Sequence, residues 1–375
     1  MTAPRRRAAR IAEVASRLAA EGVGAALFED AEGRRDQAVR YLSGQPGDAL
    51  LVVSADGGAL LVAWDVNLAR AMAQEVEVLP YADFQRLPRA ALAGTLSALR
   101  VPSGSRVELP STTPCPRYEE FAAALPGYSL VCREGGIDDF VRGMRAVKDA
   151  EELALYDRAA AITDAVMDEV EEGVRRGAVA TETDAALLIE RAARAAGCEG
   201  TGFETLAAGP ARSWGIHAFP SYGAGPFATE GMSILDFGVR LEGYTTDVTM
   251  SFLRGRLGAE RERMVALVQR AYDEAVSMCG PGSAARSIAQ RVDSIFAEAG
   301  YVMPHALGHG IGLDAHESPS LRNRDDCADI LAPGHVVTIE PGLYHPELGG
   351  VRLENDVIIT QSGAEVATAS RIVRL

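Results

Sequence analysis

The residues best suited to chemistry are acids embedded in apolar, strand-like runs. Ser233-Ile-Leu-Asp236-Phe-Gly-Val-Arg and Tyr244-Thr-Thr-Asp247-Val-Thr flank a Leu241-Glu242-Gly243 turn, and the midpoint between Asp236 and Asp247 falls inside that turn. This pattern predicts a hairpin with Asp236 and Asp247 directly opposed on one face, their Cα atoms about 4.5–5.5 Å apart. Like charges so placed destabilise a ladder. Either the register slips and both acids are solvated, or a cation lies between them. A second set of acids favours the cation. Val336-Val-Thr-Ile339-Glu340-Pro-Gly ends an apolar strand on an acid, and Val351-Arg352-Leu353-Glu354-Asn355-Asp356-Val357 alternates so that Arg352, Glu354 and Asp356 share a face. Acids in strands this apolar need partners.

The histidines point the same way. All six (His217, His305, His309, His316, His335 and His345) lie beyond residue 216, and imidazole is the common metal ligand and acid–base group near neutral pH. His305-Ala-Leu-Gly308-His309-Gly310-Ile-Gly-Leu-Asp314-Ala-His316-Glu317 sets three of them among glycines that permit close backbone approach. Four carboxylates (Asp236, Asp247, Glu340, Glu354) balance two divalent cations, and with one histidine they make a dinuclear ligand set. Oxygen-rich ligation with a single imidazole favours Mn²⁺, Co²⁺ or Fe²⁺ over a thiolate-type zinc site. The five cysteines are scattered and form no C-x-x-C.

The elements that must position these groups can be read from periodicity. Up to about residue 140, a basic amphipathic helix (Arg10–Glu21) is followed by short apolar runs such as Ala49–Val53 and Ala59–Val62, which predicts a small α/β domain over 1–140. Glu134-Gly135-Gly136-Ile137 reads as the linker. Over 141–375, Asp149 with Glu152 opens a long helix to about Glu172, Thr181 with Asp184 precedes a helix over Ala185–Ala196, and further helices fall at about Glu260–Met278 and Ala284–Ala299. Strand-like runs at Ser233–Arg240, Tyr244–Leu253, Val336–Glu340 and Val351–Thr360 complete an α+β catalytic domain.

Composition excludes several classes. With 375 residues, 47% hydrophobic and 24% charged, the chain is long enough for two folded domains and lacks the signature of disorder. A net charge of −15 argues against nucleic-acid or anionic-membrane binding. The N-terminus lacks the apolar core of a signal peptide, no run is long enough to span a membrane, and the cysteine usage suits a reducing cytoplasm.

In order and spacing, Asp236…Asp247, His305-x-x-x-His309-Gly-x-Gly-Leu-Asp-x-His316-Glu, Thr338-Ile-Glu340-Pro-Gly and Gly350-Val-Arg352-x-Glu354 resemble the M24 "pita-bread" metallopeptidases: Xaa-Pro aminopeptidase, prolidase, methionine aminopeptidase and the non-metal relative creatinase. The resemblance covers about residues 140–375. It implies a pita-bread fold, with metal ligands at Asp236, Asp247, His309, Glu340 and Glu354. Non-ligand histidines then fall at His217, His305 and His316, and an arginine orienting a ligand acid at Arg352. Arg40-Tyr41-Leu42-Ser43-Gly44, in a creatinase-like N-terminal domain, resembles the Xaa-Pro aminopeptidase and prolidase branch, which implies a homodimer whose N-terminal domain borders the site. Methionine aminopeptidases generally lack that domain.

The implied activity is hydrolysis, with two divalent metals (Mn²⁺ first, Co²⁺, Fe²⁺ or Zn²⁺ otherwise), of the bond between an N-terminal residue and proline in a short peptide. Two bridged metals acidify a shared water and polarise the carbonyl. Glu340 would pass the proton to the leaving nitrogen, His316 and His217 would contact substrate and stabilise the oxyanion, and His305 would line the pocket. Two alternatives stand beside it: a creatinase-like hydrolase of a small C–N substrate, and a non-catalytic peptide-binding module. Retention of all five ligand positions argues against both. Met250 and Asn355 depart from the family pattern, where arginine and an acid are common, and are expected to retune the site. His335 and His345 read as surface residues, and Trp64 and Trp214 as packing residues.

Overall fold

The fold is taken from a computed structural model that describes residues 7–375; the basic start at residues 1–6 lies outside the described residues. Two compact units divide between Arg145 and Ala146.

In the N-terminal unit the first helix runs Arg7–Ala20 and buries Ile11, Val14, Ala15 and Leu18, the stripe its amphipathic spacing presents. The sheet has six strands, in the order Glu77–Pro80, Ala59–Ala63, Ala49–Ser54, Ala25–Asp30, Arg106–Leu109 and Ser129–Cys132. The three central strands are antiparallel and the outer pairings parallel. The expected boundary at residue 140 falls inside a helix, Ile137–Ala146. Gly135-Gly136 is not a linker. It is the turn that launches this helix, with Gly135 at φ 68. The helix is fastened to its own unit, since Glu108 accepts from Ile137 N and Asp138 accepts from Ser111 N.

The C-terminal unit repeats one plan, a helix pair followed by strands. Helices Ala150–Arg175 and Glu182–Ala195 start on capping boxes at Asp149/Glu152 and Thr181/Asp184. They pack on a four-stranded sheet ordered Ile372–Arg374, Val248–Arg254, Gly231–Phe237 and Leu206–Ala208. Helices Ala259–Met278 and Ala285–Glu298 likewise pack on strands of a five-stranded sheet ordered Glu317–Leu321, Gly308–Gly310, Val336–Ile339, Asn355–Ile359 and Ala364–Val366. This is the pita-bread architecture, α+β in class, preceded by a small α/β unit.

An isolated bridge joins the two sheets. Thr249 and Glu354 pair antiparallel, Thr249 N donating to Glu354 O at 3.4 Å and Glu354 N to Thr249 O at 3.3 Å. The expected continuous strand Val351–Thr360 is therefore two. Gly349–Arg352 pairs with Gly342–His345, and Asn355–Ile359 with Val336–Ile339. The expected strand Tyr244–Leu253 is likewise broken, into Tyr244–Thr245 and Val248–Arg254. One break contains Asp247 and the other Glu354. Each acid leaves its ladder where the sheets join. Among the described residues no helix is long and apolar enough to cross a membrane.

Candidate active site

The two aspartates are not direct partners. Glu242 (φ 48) and Gly243 (φ 92) form the two-residue turn, both left-handed, as the hairpin twist favours. The turn centre thus lies one residue later than expected, and Asp236 faces Thr249. Side-chain parity survives this shift, so Asp247 sits diagonally from Asp236 on the same face. The N–H of Asp247 is recruited by a third acid, Asp356, whose Oδ2 accepts it at 3.0 Å.

The second sheet brings its groups to the same place. The His309 Nε2 is 3.7 Å from Asp247 Oδ2 and 3.5 Å from Glu340 Oε1. Its Nδ1 lies 3.0 Å from the Gly310 carbonyl oxygen, which fixes the tautomer and leaves Nε2 facing the acids. Asp247, His309 and Glu354 each offer a ligand atom, all within 4.8 Å of one another. Asp236 completes the wall, with its Oδ1 buried and without a hydrogen-bond partner.

So many buried acids perturb one another. Burial, then the charge of Glu354, holds the Asp247 carboxyl well above the usual range, and burial, then Glu340, does the same to Glu354. Burial lifts Glu340 to about 7 against the pull of Arg352, and raises Asp236 as well. His309 is lowered to about 4 by burial and then by His316, and His305 to about 4 by burial and then by Arg352. Four acids with this electrostatics and a neutral, oriented imidazole form a donor set that fits divalent cations: hard oxygens, one nitrogen, and an unpartnered carboxylate oxygen.

Arg352, 2% exposed, ties the wall together. Its Nη2 donates to Asp236 Oδ2. Its Nε donates to Thr249 Oγ1 at 2.8 Å, and its Nη1 to Tyr344 Oη at 2.8 Å and to the Ile216 carbonyl at 3.2 Å. The expected orientation of an acid thus falls on Asp236, through one nitrogen. Glu354 stands 4.0 Å from the guanidinium and is held instead by the Thr249 hydroxyl at 2.6 Å.

All the sequence-expected residues line one cavity of about 630 Å³. The rings of His309 and His316 are 4.1 Å apart. His305 faces Glu340 at 3.9 Å, and its Nε2 lies 3.1 Å from Tyr344 Oη. His217 is exposed at the mouth.

Sequence reasoning missed Thr249 and Tyr344. Both were findable: Thr249 is two residues from Asp247 on the same face, and pairing Gly342 with Arg352 puts Tyr344 diagonally across from Arg352. The two departures from the family pattern lie off the cavity. Asn355 points away from the cavity, its amide donating to Tyr272 Oη and Ser370 O while its oxygen accepts from Thr368 Oγ1 and Ser370 N. Met250 is buried in the core under the first sheet. Alternation explains both, because each neighbours a residue that faces the site. His335 is buried, its Nδ1 accepting from Ala332 N, whereas Trp64 and Trp214 are largely exposed.

Residues 10–147 match the family model of the Creatinase/Prolidase N-terminal domain and residues 154–361 that of Metallopeptidase family M24. The chain belongs to metallopeptidase family M24. It is 32% identical over 240 residues to the Xaa-Pro dipeptidase of Pyrococcus horikoshii, a match covering 62% of this chain and 65% of that one. The chain therefore spans about two thirds of that relative's length. The structure is similar to the X-Pro aminopeptidase of Thermotoga maritima, with TM-score 0.85, 26% identity and coverage of 98% and 99% of the two chains. It is also similar to the Xaa-Pro dipeptidase of Bacillus anthracis, with TM-score 0.84, 25% identity and coverage of 98% and 100%.

Proposed function

We propose that the protein is a dinuclear-metal exopeptidase that cleaves the bond between an N-terminal residue and a following proline. One observation carries the reading: Asp236, Asp247, His309, Glu340 and Glu354 converge from two sheets on one cavity, beside His305, His316, His217 and Arg352. The five would hold two divalent ions, Mn²⁺ being the expected metal. Bound there, the ions supply an acidified water and a Lewis acid for the scissile carbonyl.

The chain's own groups do the rest. Glu340, reached by both His305 and His309, passes a proton to the leaving nitrogen. His316 and His217 face the substrate and stabilise negative charge on the carbonyl oxygen. Arg352 and Thr249 hold Asp236 and Glu354 in place.

Within this reading the dipeptidase form is favoured by Arg322. It and Arg352 are the two guanidinium groups among the described residues lining the cavity, and Arg352 is fully engaged. Arg322 holds Asp326 only loosely, at 3.8 Å, which leaves its guanidinium to take the C-terminal carboxylate of an Xaa-Pro dipeptide. The N-terminal unit is assigned to homodimer formation, which sedimentation would test, and the five free cysteines suit the cytoplasm.

The deciding experiment is release of the N-terminal residue from Xaa-Pro dipeptides, Xaa-Pro-Yaa tripeptides and proline-free controls, using metal-stripped protein with Mn²⁺, Co²⁺ or Zn²⁺ restored. Metal-dependent cleavage lost in Asp247→Asn and Glu340→Gln is the expected result. In Arg322→Ala, dipeptides should lose more than tripeptides. No cleavage with two metals bound would sink the assignment.

A further inference from the structure

His217 stands on a loop, not on a strand. From Gly209 to Gly223 the chain forms neither helix nor strand, yet Ile216, His217 and Ser221 all reach the cavity. Trp214 (49% exposed) and Phe219 (95% exposed) show how little of the loop's middle is packed. Such a segment needs fixed ends to present a side chain reproducibly.

Both ends are tied to one carboxylate. Glu182, the first residue of the Glu182–Ala195 helix, is 1% exposed and does not line the cavity. Its Oε1 accepts from Gly209 N at 2.8 Å and Arg212 Nε at 3.0 Å. Its Oε2 accepts from Gly223 N at 2.8 Å and Arg212 Nη2 at 2.7 Å. Arg212 passes the grip onward, Nη1 donating to Pro220 O at 2.7 Å and Nη2 to Ala207 O at 3.2 Å. One partly buried ion pair thus joins the start of the loop, its end and the strand before it.

Near the site the loop has a second, separate hold. Ser213 Oγ accepts from Gly350 N at 3.1 Å, and the Ile216 carbonyl accepts from Arg352 Nη1. The residue before His217 is thus pinned to the guanidinium that also holds Asp236. A buried ion pair gains little net stability over an apolar pair of the same shape. Its use here is geometric: a bidentate fork and two backbone amides admit one arrangement.

We propose that Glu182 and Arg212 are positioning residues for substrate binding: they set where the Gly209–Gly223 loop carries His217 at the cavity mouth, without touching substrate or metal. The proposal rests on the peptidase reading above for its kinetic arm only.

The test uses the full chain with Trp64→Phe, which leaves Trp214 as the sole tryptophan of the two. Glu182→Leu/Arg212→Met removes both charges together and so strands neither; Arg212→Lys keeps the charge but loses the fork. In the double variant, acrylamide quenching of Trp214 should rise while the bound-Mn²⁺ stoichiometry is unchanged. kcat/KM for the Xaa-Pro substrate should fall about tenfold, with kcat sharing the loss because His217 also steadies charge on the carbonyl oxygen. Arg212→Lys should fall between. Unchanged quenching in a folded variant overturns the proposal, and so does raised quenching with unchanged kcat/KM. If the double variant does not fold, Arg212→Lys decides by the same two readings. Should the parent cleave no Xaa-Pro peptide, raised quenching still upholds the anchoring, and only the activity reading fails.

Discussion

Arg352 donates to Asp236, Thr249, Tyr344 and the Ile216 carbonyl from one buried fork, and no other cation fits that geometry. A lysine ammonium is a point charge on a flexible stem. Arg352→Lys should therefore weaken Mn²⁺ binding about 10–100-fold, read by titration into metal-stripped protein. Asn355 gives the opposite expectation. Its amide and carbonyl are fully used in holding Thr368 and Ser370 to Tyr272. Asn355→Asp removes two donations and should cost about 1–3 kcal/mol in urea unfolding, with metal affinity unchanged.

At the scale of elements, the turn and the strand breaks matter most. Glu242 sits at φ 48 with its side chain paired to Arg158 in solvent, a contact worth little. Glu242→Asn places a residue that accepts left-handed backbone at this turn, and should stabilise the protein by about 0.5–1 kcal/mol, seen as a higher denaturation midpoint. Breaks at Asp247 and Glu354 have a different origin. Each acid interrupts a strand at the seam, where Asp356 takes the Asp247 N–H and Thr249 pairs with Glu354. Period-2 patterning reports which face a residue takes and does not report where a ladder changes partners.

The whole molecule carries two linked expectations. Ions that bind the folded site and not the unfolded chain stabilise by mass action, about 2.7 kcal/mol at a hundredfold excess over Kd. Mn²⁺ should raise the unfolding midpoint of the parent and leave that of Glu354→Gln nearly unmoved. His335 supplies one pH term, beside those of His305 and His309 in the cavity. Burial, then the charge of Lys148, lowers it to about 4, against a value near 6.5 when unfolded. The unfolded chain binds the extra proton between those values, so this stability is complete above pH 6.5 and is lost as pH falls towards 4, roughly 3 kcal/mol in all. His335→Gln should flatten that decline in urea midpoints measured from pH 7 to 4.5; an unchanged slope would refute it.

The sequence by itself determined the local elements and which residues gather at the candidate site. The capping boxes at Asp149 and Thr181 start the helices they announce, and the five ligand-type residues with His217, His305, His316 and Arg352 share one cavity. These follow from propensity, periodicity and the cost of unpaired acids, all readable within a few residues. Tertiary structure alone decided the register that sets Asp236 against Thr249, the seam that splits Val351–Thr360, the burial of His335, and the grip of Glu182 on a loop some thirty residues away. Each depends on which distant segment supplies the partner, and that is settled by packing summed over the whole unit.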